Sequence, residues 1–156
     1  MTPVFKSGIP FSALLIGLLA TVLHLVLGAG SVLDEVRSSL WVSGLASLSA
    51  LSLTFCGALH FAFAMTDADF TPAQRRLGYL WSVVPGLVAW IALIALPFSA
   101  LTSLVILLVG LWLQFVRDRR MSVQAGLPNW YVPAQLVYSI AVSLALLAAG
   151  AAVVRY

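Results

Sequence analysis

Five stretches of about 20 apolar residues, none carrying Asp, Glu, Lys or Arg, constrain this chain more than any other feature. They are 9–27, 40–65, 77–96, 98–116 and 133–154. Each is long enough to cross the hydrocarbon of a bilayer as a helix. None alternates polar and apolar residues as barrel strands do, and barrel strands are about half as long. A helix also satisfies its backbone donors and acceptors within one segment, which lipid demands. The sequence therefore predicts an all-α, single-domain integral membrane bundle of five transmembrane helices over residues 1–156.

Composition agrees. Of 156 residues, 62% are hydrophobic and 8% are charged, against about 25% charged in soluble domains. The formal charge of +3, from eight basic and five acidic side chains, is too sparse for a nucleic-acid groove. The lone cysteine, Cys56, excludes an internal disulfide and any Cys₂ or Cys₄ metal site.

Short polar segments separate the runs, at 28–39, 66–76 and 117–132. Pro97 alone divides the third from the fourth, and is expected to turn the chain and bias Leu96 away from helix. One unbroken helix there would need roughly 60 Å of hydrocarbon at 1.5 Å per residue. With five spans, Lys6, Arg75, Arg76, Arg117, Arg119 and Arg120 fall on one side, and Arg37 and Arg155 on the other. The positive-inside rule places the first set, and the N-terminus, in the cytoplasm, and the C-terminus in the periplasm. Lys6, the apolar core behind it and Gly28–Ser31 resemble a signal peptide; the segment is read as a retained first span.

Within the spans, two histidines are the main polar features. His24 shares a helical face with Ala13, Gly17, Ala20, Thr21 and Gly28. His60 shares one with Ala46, Ser49, Leu53, Cys56 and Gly57, opposite Leu48, Leu51, Phe55 and Leu59. Small-residue faces admit close helix approach, so the Gly17 and Gly57 faces are expected to be buried, with both histidines pointing inward. The bland expectation for each is a neutral imidazole bonded to backbone or hydroxyl. The two histidines differ by roughly 15 Å in depth, too far to share a metal. Cys56 and His60 lie one turn apart but lack a third ligand. No metal or cofactor is expected. Pro85 removes a backbone donor and frees the carbonyl of Trp81, to which His60 is a candidate donor. The five runs hold no carboxylate, which disfavours a proton-driven transporter.

Several local patterns occur together in order: Gly8-Ile9-Pro10-Phe11, Leu53-Thr54-Phe55-Cys56-Gly57-Ala58-Leu59-His60, Arg75-Arg76, Ser82–Trp90, Asp118, and Leu127-Pro128-Asn129-Trp130-Tyr131. This ordered set resembles the domain-of-unknown-function 3429 family, the transmembrane protein 69-like proteins. The chain departs from the family pattern at His60-Phe61-Ala62, where His-Trp-Gly is usual, and at Gln135, where Arg is usual. The resemblance implies a small multi-pass protein of the bacterial inner membrane, or of the mitochondrial one in a eukaryote, and no defined activity.

These residues lie in the cytoplasmic half of the predicted bundle. They compose a candidate pocket lined by His60, near the depth of Pro85. Arg75, Arg76 and Asp118 are expected to flank it from the cytoplasmic loops, and Trp130 and Tyr131 to form its rim. Trp130-Tyr131 also has the composition of an interfacial anchor. Three functions compete. The leading one is an accessory or assembly partner of other membrane proteins, or a homo-oligomer, joined through small-residue faces. The second is a small enzyme or lipid- or quinone-binding protein with a site at the cytoplasmic interface. A transporter ranks third.

Overall fold

The structure, a computed structural model, describes residues 8–155; Lys6, part of the charge count, lies outside them. Five helices follow in order: α1 (Phe11–Leu33), α2 (Ser38–Thr66), α3 (Pro72–Ala95), α4 (Ala100–Gln124) and α5 (Tyr131–Arg155). Each is long and apolar enough to cross a membrane, and no strand occurs among the described residues. Sequential helices pack against each other, α5 returns to α1, and α2 touches all four others.

Local chemistry sets the ends. Thr71 and Gln74 form a capping box with Pro72 in the first turn of α3, satisfying donors that the helix leaves free. Ser99 caps α4 by accepting from the Thr102 N–H at 3.2 Å. Gly126, with φ of 58°, ends α4: the Leu127 N–H returns to the Ser122 carbonyl at 3.1 Å, a closure that needs a left-handed residue.

The turn at Pro97 is present, so no single long helix joins α3 and α4. Its details differ from expectation. Leu96 keeps helical dihedrals (φ −53°, ψ −48°), and the break comes after it, where the Phe98 and Ser99 N–H groups both reach the Ala95 carbonyl.

Two connections are shorter than expected. α1 runs on through Leu33, leaving only Asp34 and a 3₁₀ turn at Glu35–Arg37 before α2. Gly28 and Ser31 are buried there, and a Cβ on Gly28 would stand 2.8 Å from Ala145 Cα. Packing against α5 outweighs the weak helix propensity of this stretch. α4 likewise runs past Val116 to Gln124. Leu104, Leu107, Leu111, Gln114, Asp118 and Met121 repeat at three and four residues and are all buried, one continuous inward stripe.

The core joins Val42, Leu45, Ala46 and Leu53 of α2 to Ala89 and Ala92 of α3, Leu104 and Leu107 of α4, and Val142 and Ala149 of α5. The Gly57 face is buried against α3, with Pro85 Cγ 2.9 Å from where a Cβ would sit. The Gly17 face is not: Gly17 is exposed, with nothing within 4 Å of a Cβ position. α1 binds the bundle through its second half, and its first half stands off.

Candidate functional site

At the end of the bundle that carries the α2–α3 and α4–α5 connections, called here the arginine-rich end, polar side chains meet between helices. His60 Nε2 of α2 donates to Asp118 Oδ1 of α4 at 2.8 Å. The Gln114 amide, one turn earlier on α4, donates to the same oxygen at 2.7 Å and to the Cys56 carbonyl at 3.4 Å. Trp81 of α3 donates from its indole to Gln114 Oε1 at 3.0 Å. This last bond fixes the amide, since its oxygen must face Trp81 and its nitrogen Asp118. His60, Gln114 and Asp118 are each 1% exposed.

The helical pitch explains the convergence. Gln114 and Asp118 are four residues apart and share a face, as do Cys56 and His60. Two atoms of the cluster stay unpartnered, His60 Nδ1 and Asp118 Oδ2. Buried polar atoms are normally bonded; His24 Nε2 and the hydroxyls of Ser49, Ser103 and Ser139 are open as well, and what sets this cluster apart is that its two open atoms belong to a histidine and a carboxylate in direct contact. Arg117 is half-buried, its guanidinium 5.9 Å from the centroid of the Trp81 ring, within cation–π range.

Several expected site residues take other places. Asp118 is no loop residue; it is helical and buried, so the bundle encloses a carboxylate where none was expected. His60 bonds Asp118 rather than the Trp81 carbonyl. Arg75 serves the α2–α3 connection, donating from Nε to the Phe70 carbonyl at 3.2 Å and from Nη2 to the Asp67 carbonyl at 2.9 Å. Arg76 is exposed on α3. Pro85 packs on Gly57, whereas the His60 carbonyl lies 3.4 Å from the Cβ position of Gly78. Seven residues, or about 10 Å of helix, separate Gly78 from Pro85. His24 follows the bland expectation: Nδ1 donates to the Ala20 carbonyl at 2.7 Å, and its ring meets Tyr138 edge-on at 5.7 Å.

Trp130 and Tyr131 line an opening, though a lateral one. Because α1 stands off at Gly17, a groove of about 360 Å³ runs between α1, α2 and α5. Its apolar wall includes Ile16, Leu51 and Phe55, and its polar end Cys56, Tyr131 and Gln135. A second groove of about 360 Å³ continues across the other side of α1, sharing Gly17, Trp130, Ala134 and Tyr138. Among the described residues neither is lined by a charged one. Gln135 Nε2 approaches Cys56 Sγ at 4.0 Å, so the groove wall and the buried cluster meet at Cys56. A larger cavity of about 570 Å³ lies at the opposite end, beside Glu35, Ser38 and Pro97, far from the cluster. Among the described residues no three His, Cys, Asp or Glu side chains converge as a metal site would require.

Fold and site together define an all-α, five-helix membrane bundle with a buried histidine–carboxylate cluster beside an uncharged lateral groove. A model of a family of unknown function, the domain-of-unknown-function 3429 family, matches residues 6–151, and the chain belongs to that family. No curated protein and no solved structure matches it.

Proposed function

We propose that this protein binds an uncharged amphiphile, a quinone or a neutral lipid, through the groove between α1, α2 and α5. The observation that carries this reading is the groove itself: apolar along its length, polar at one end, and without a charged side chain among the described residues. Ligand sites have this composition, an apolar enclosure with a few oriented polar groups, and span about 300–1,000 Å³. Tyr131, Gln135 and Ser52 offer neutral hydrogen-bonding groups to a carbonyl or hydroxyl head. A phosphate head would find no cation there among the described residues. The groove opens sideways, so a ligand enters from the bilayer without crossing water. In this reading the arginine-rich end faces the cytoplasm, as the basic-residue count argues, and the membrane is a bacterial inner membrane, or the mitochondrial one in a eukaryote, as the family resemblance implies.

A second reading keeps the protein as an accessory partner of other membrane proteins. Ala13, Gly17, Ala20 and Ala134 border the grooves, and small residues let a foreign helix approach. Purification of the intact protein in mild detergent, followed by native mass analysis, separates the two. One retained small amphiphile per chain supports the first. A stoichiometric protein partner with an amphiphile-free groove replaces it with the second.

A further inference from the structure

The two unpartnered atoms of the cluster form a pattern with a consequence. Nε2 of His60 is committed as donor to Asp118 Oδ1, so in the neutral ring Nδ1 carries a lone pair. That lone pair is buried and faces no donor. A lone pair held beside a carboxylate, out of reach of other donors, is a place for a proton. An added proton makes an imidazolium–carboxylate pair, which buried surroundings favour only because the partner charge is already in contact.

His60 Nδ1 differs in this from the other histidine of the bundle, His24. Its Nδ1 reaches the carbonyl four residues back, that of Ala20, at 2.7 Å. The equivalent carbonyl for His60 belongs to Cys56, and Nδ1 makes no bond to it. That carbonyl accepts from Gln114 Nε2 at a long 3.4 Å. The cluster reaches the groove through Gln114, whose Nε2 bonds both Asp118 Oδ1 and the Cys56 carbonyl, at the residue whose sulfur lines the groove opposite Gln135.

Other ionisable groups near the pair are few. Cys56 of α2 and Tyr131 of α5 lie within electrostatic reach of Asp118. Arg117 of α4 is the nearby cation and turns toward Trp81. From α3 the cluster receives the uncharged indole of Trp81, while Arg75 is engaged by the α2–α3 connection. α1 contributes no charged residue, its only titratable group, His24, being bonded to its own helix.

We propose that His60 and Asp118 form a binding site for one exchangeable proton, taken up from water at His60 Nδ1, and that its occupancy is linked to occupancy of the groove through the Cys56 carbonyl. The linkage rests on the amphiphile reading; the proton site does not. Linkage is reciprocal: if the proton alters affinity for the amphiphile, the amphiphile alters affinity for the proton by the same factor.

The test uses the full chain in lipid nanodiscs, with ¹⁵N-labelled histidine observed by NMR from about pH 5 to pH 9, the range in which imidazole changes charge. His60 should pass from the Nε2–H tautomer to the imidazolium in a single one-proton step. In Asp118→Asn its proton affinity should fall by about tenfold or more, the scale of losing a contacting charge. His24 serves as the internal reporter of the fold: its signals should be unchanged by either substitution, Asp118→Asn or Gln114→Ala. A short-chain quinone, followed by quenching of tryptophan fluorescence, then reads the groove. Its affinity should change severalfold across the His60 titration in the wild type and stay flat in His60→Gln. A His60 ring that never titrates, or titrates identically in Asp118→Asn, overturns the proton site. Titration with pH-independent quinone binding overturns the linkage. Absence of quinone binding at every pH overturns the groove reading and leaves the histidine titration standing by itself.

Discussion

His60 and Asp118 carry the largest single stakes in the molecule, because each is the other's buried partner. Removing one member of such a pair costs about 3–5 kcal/mol, chiefly through the polar group left behind. His60→Leu should fall near the lower bound, about 3 kcal/mol, since Gln114 still donates to the Asp118 carboxylate. His60→Gln retains a donor and should cost about 1 kcal/mol. Thermal melts in detergent measure both, and equal melts would mean that the bond holds nothing. Gly57→Leu should destabilise by about 1–3 kcal/mol, since its side chain would collide with Pro85 and the Ser82 carbonyl. Gly17→Leu, which the sequence pattern alone marks as equally damaging, should stay within about 0.5 kcal/mol of wild type, because open space surrounds it. The difference between these glycines is invisible in sequence. Both lie on small-residue faces, and only the path of α1 decides which face finds a neighbour.

Helix α4 shows what was legible at the scale of elements and why part of it was missed. Hydropathy ends the span at Val116, since Arg117 is costly in lipid. The helix continues because its other face still has partners. The spacing of Leu104, Leu107, Leu111, Gln114, Asp118 and Met121 was present in the sequence and puts Asp118 on the core side. Reading charge before periodicity assigns it to a loop. Gln114 was missed for a related reason: a neutral amide among apolar residues gives no charge signal, and its importance comes only from meeting Trp81 and Asp118. Helix α1 makes the opposite case. Its length and apolarity were plain, yet the groove beneath its first half depends on where it attaches. Gly28 is that attachment, and Gly28→Leu would drive a side chain into the backbone of Ala145. Loss of about 1–3 kcal/mol in the same melts is expected, and cysteine crosslinks between α1 and α5 near Ala145 should form less efficiently. Unaltered crosslinking would show that α1 is held elsewhere.

The whole molecule places its polar cluster at one end and its apolar core through the rest, so orientation decides which compartment the cluster serves. Basic residues predict that reporters inserted at the α2–α3 and α4–α5 connections are cytoplasmic, while one beside Val36 is external. The inverse labelling pattern would move the proton site to the other side of the membrane without altering its geometry. The groove is the feature on which the functional account depends, and Gly17→Trp isolates it. The indole would occupy space that is empty in the wild type, leaving the His60–Asp118 cluster and the core untouched. The decisive measurement is the amount of small amphiphile retained per chain, by native mass analysis, in the wild type and in Gly17→Trp protein of matched thermal stability. The account predicts about one molecule per wild-type chain and at least a tenfold loss in the variant, the equivalent of about 1.4 kcal/mol. Equal retention by the two proteins, or an empty wild type, would contradict it.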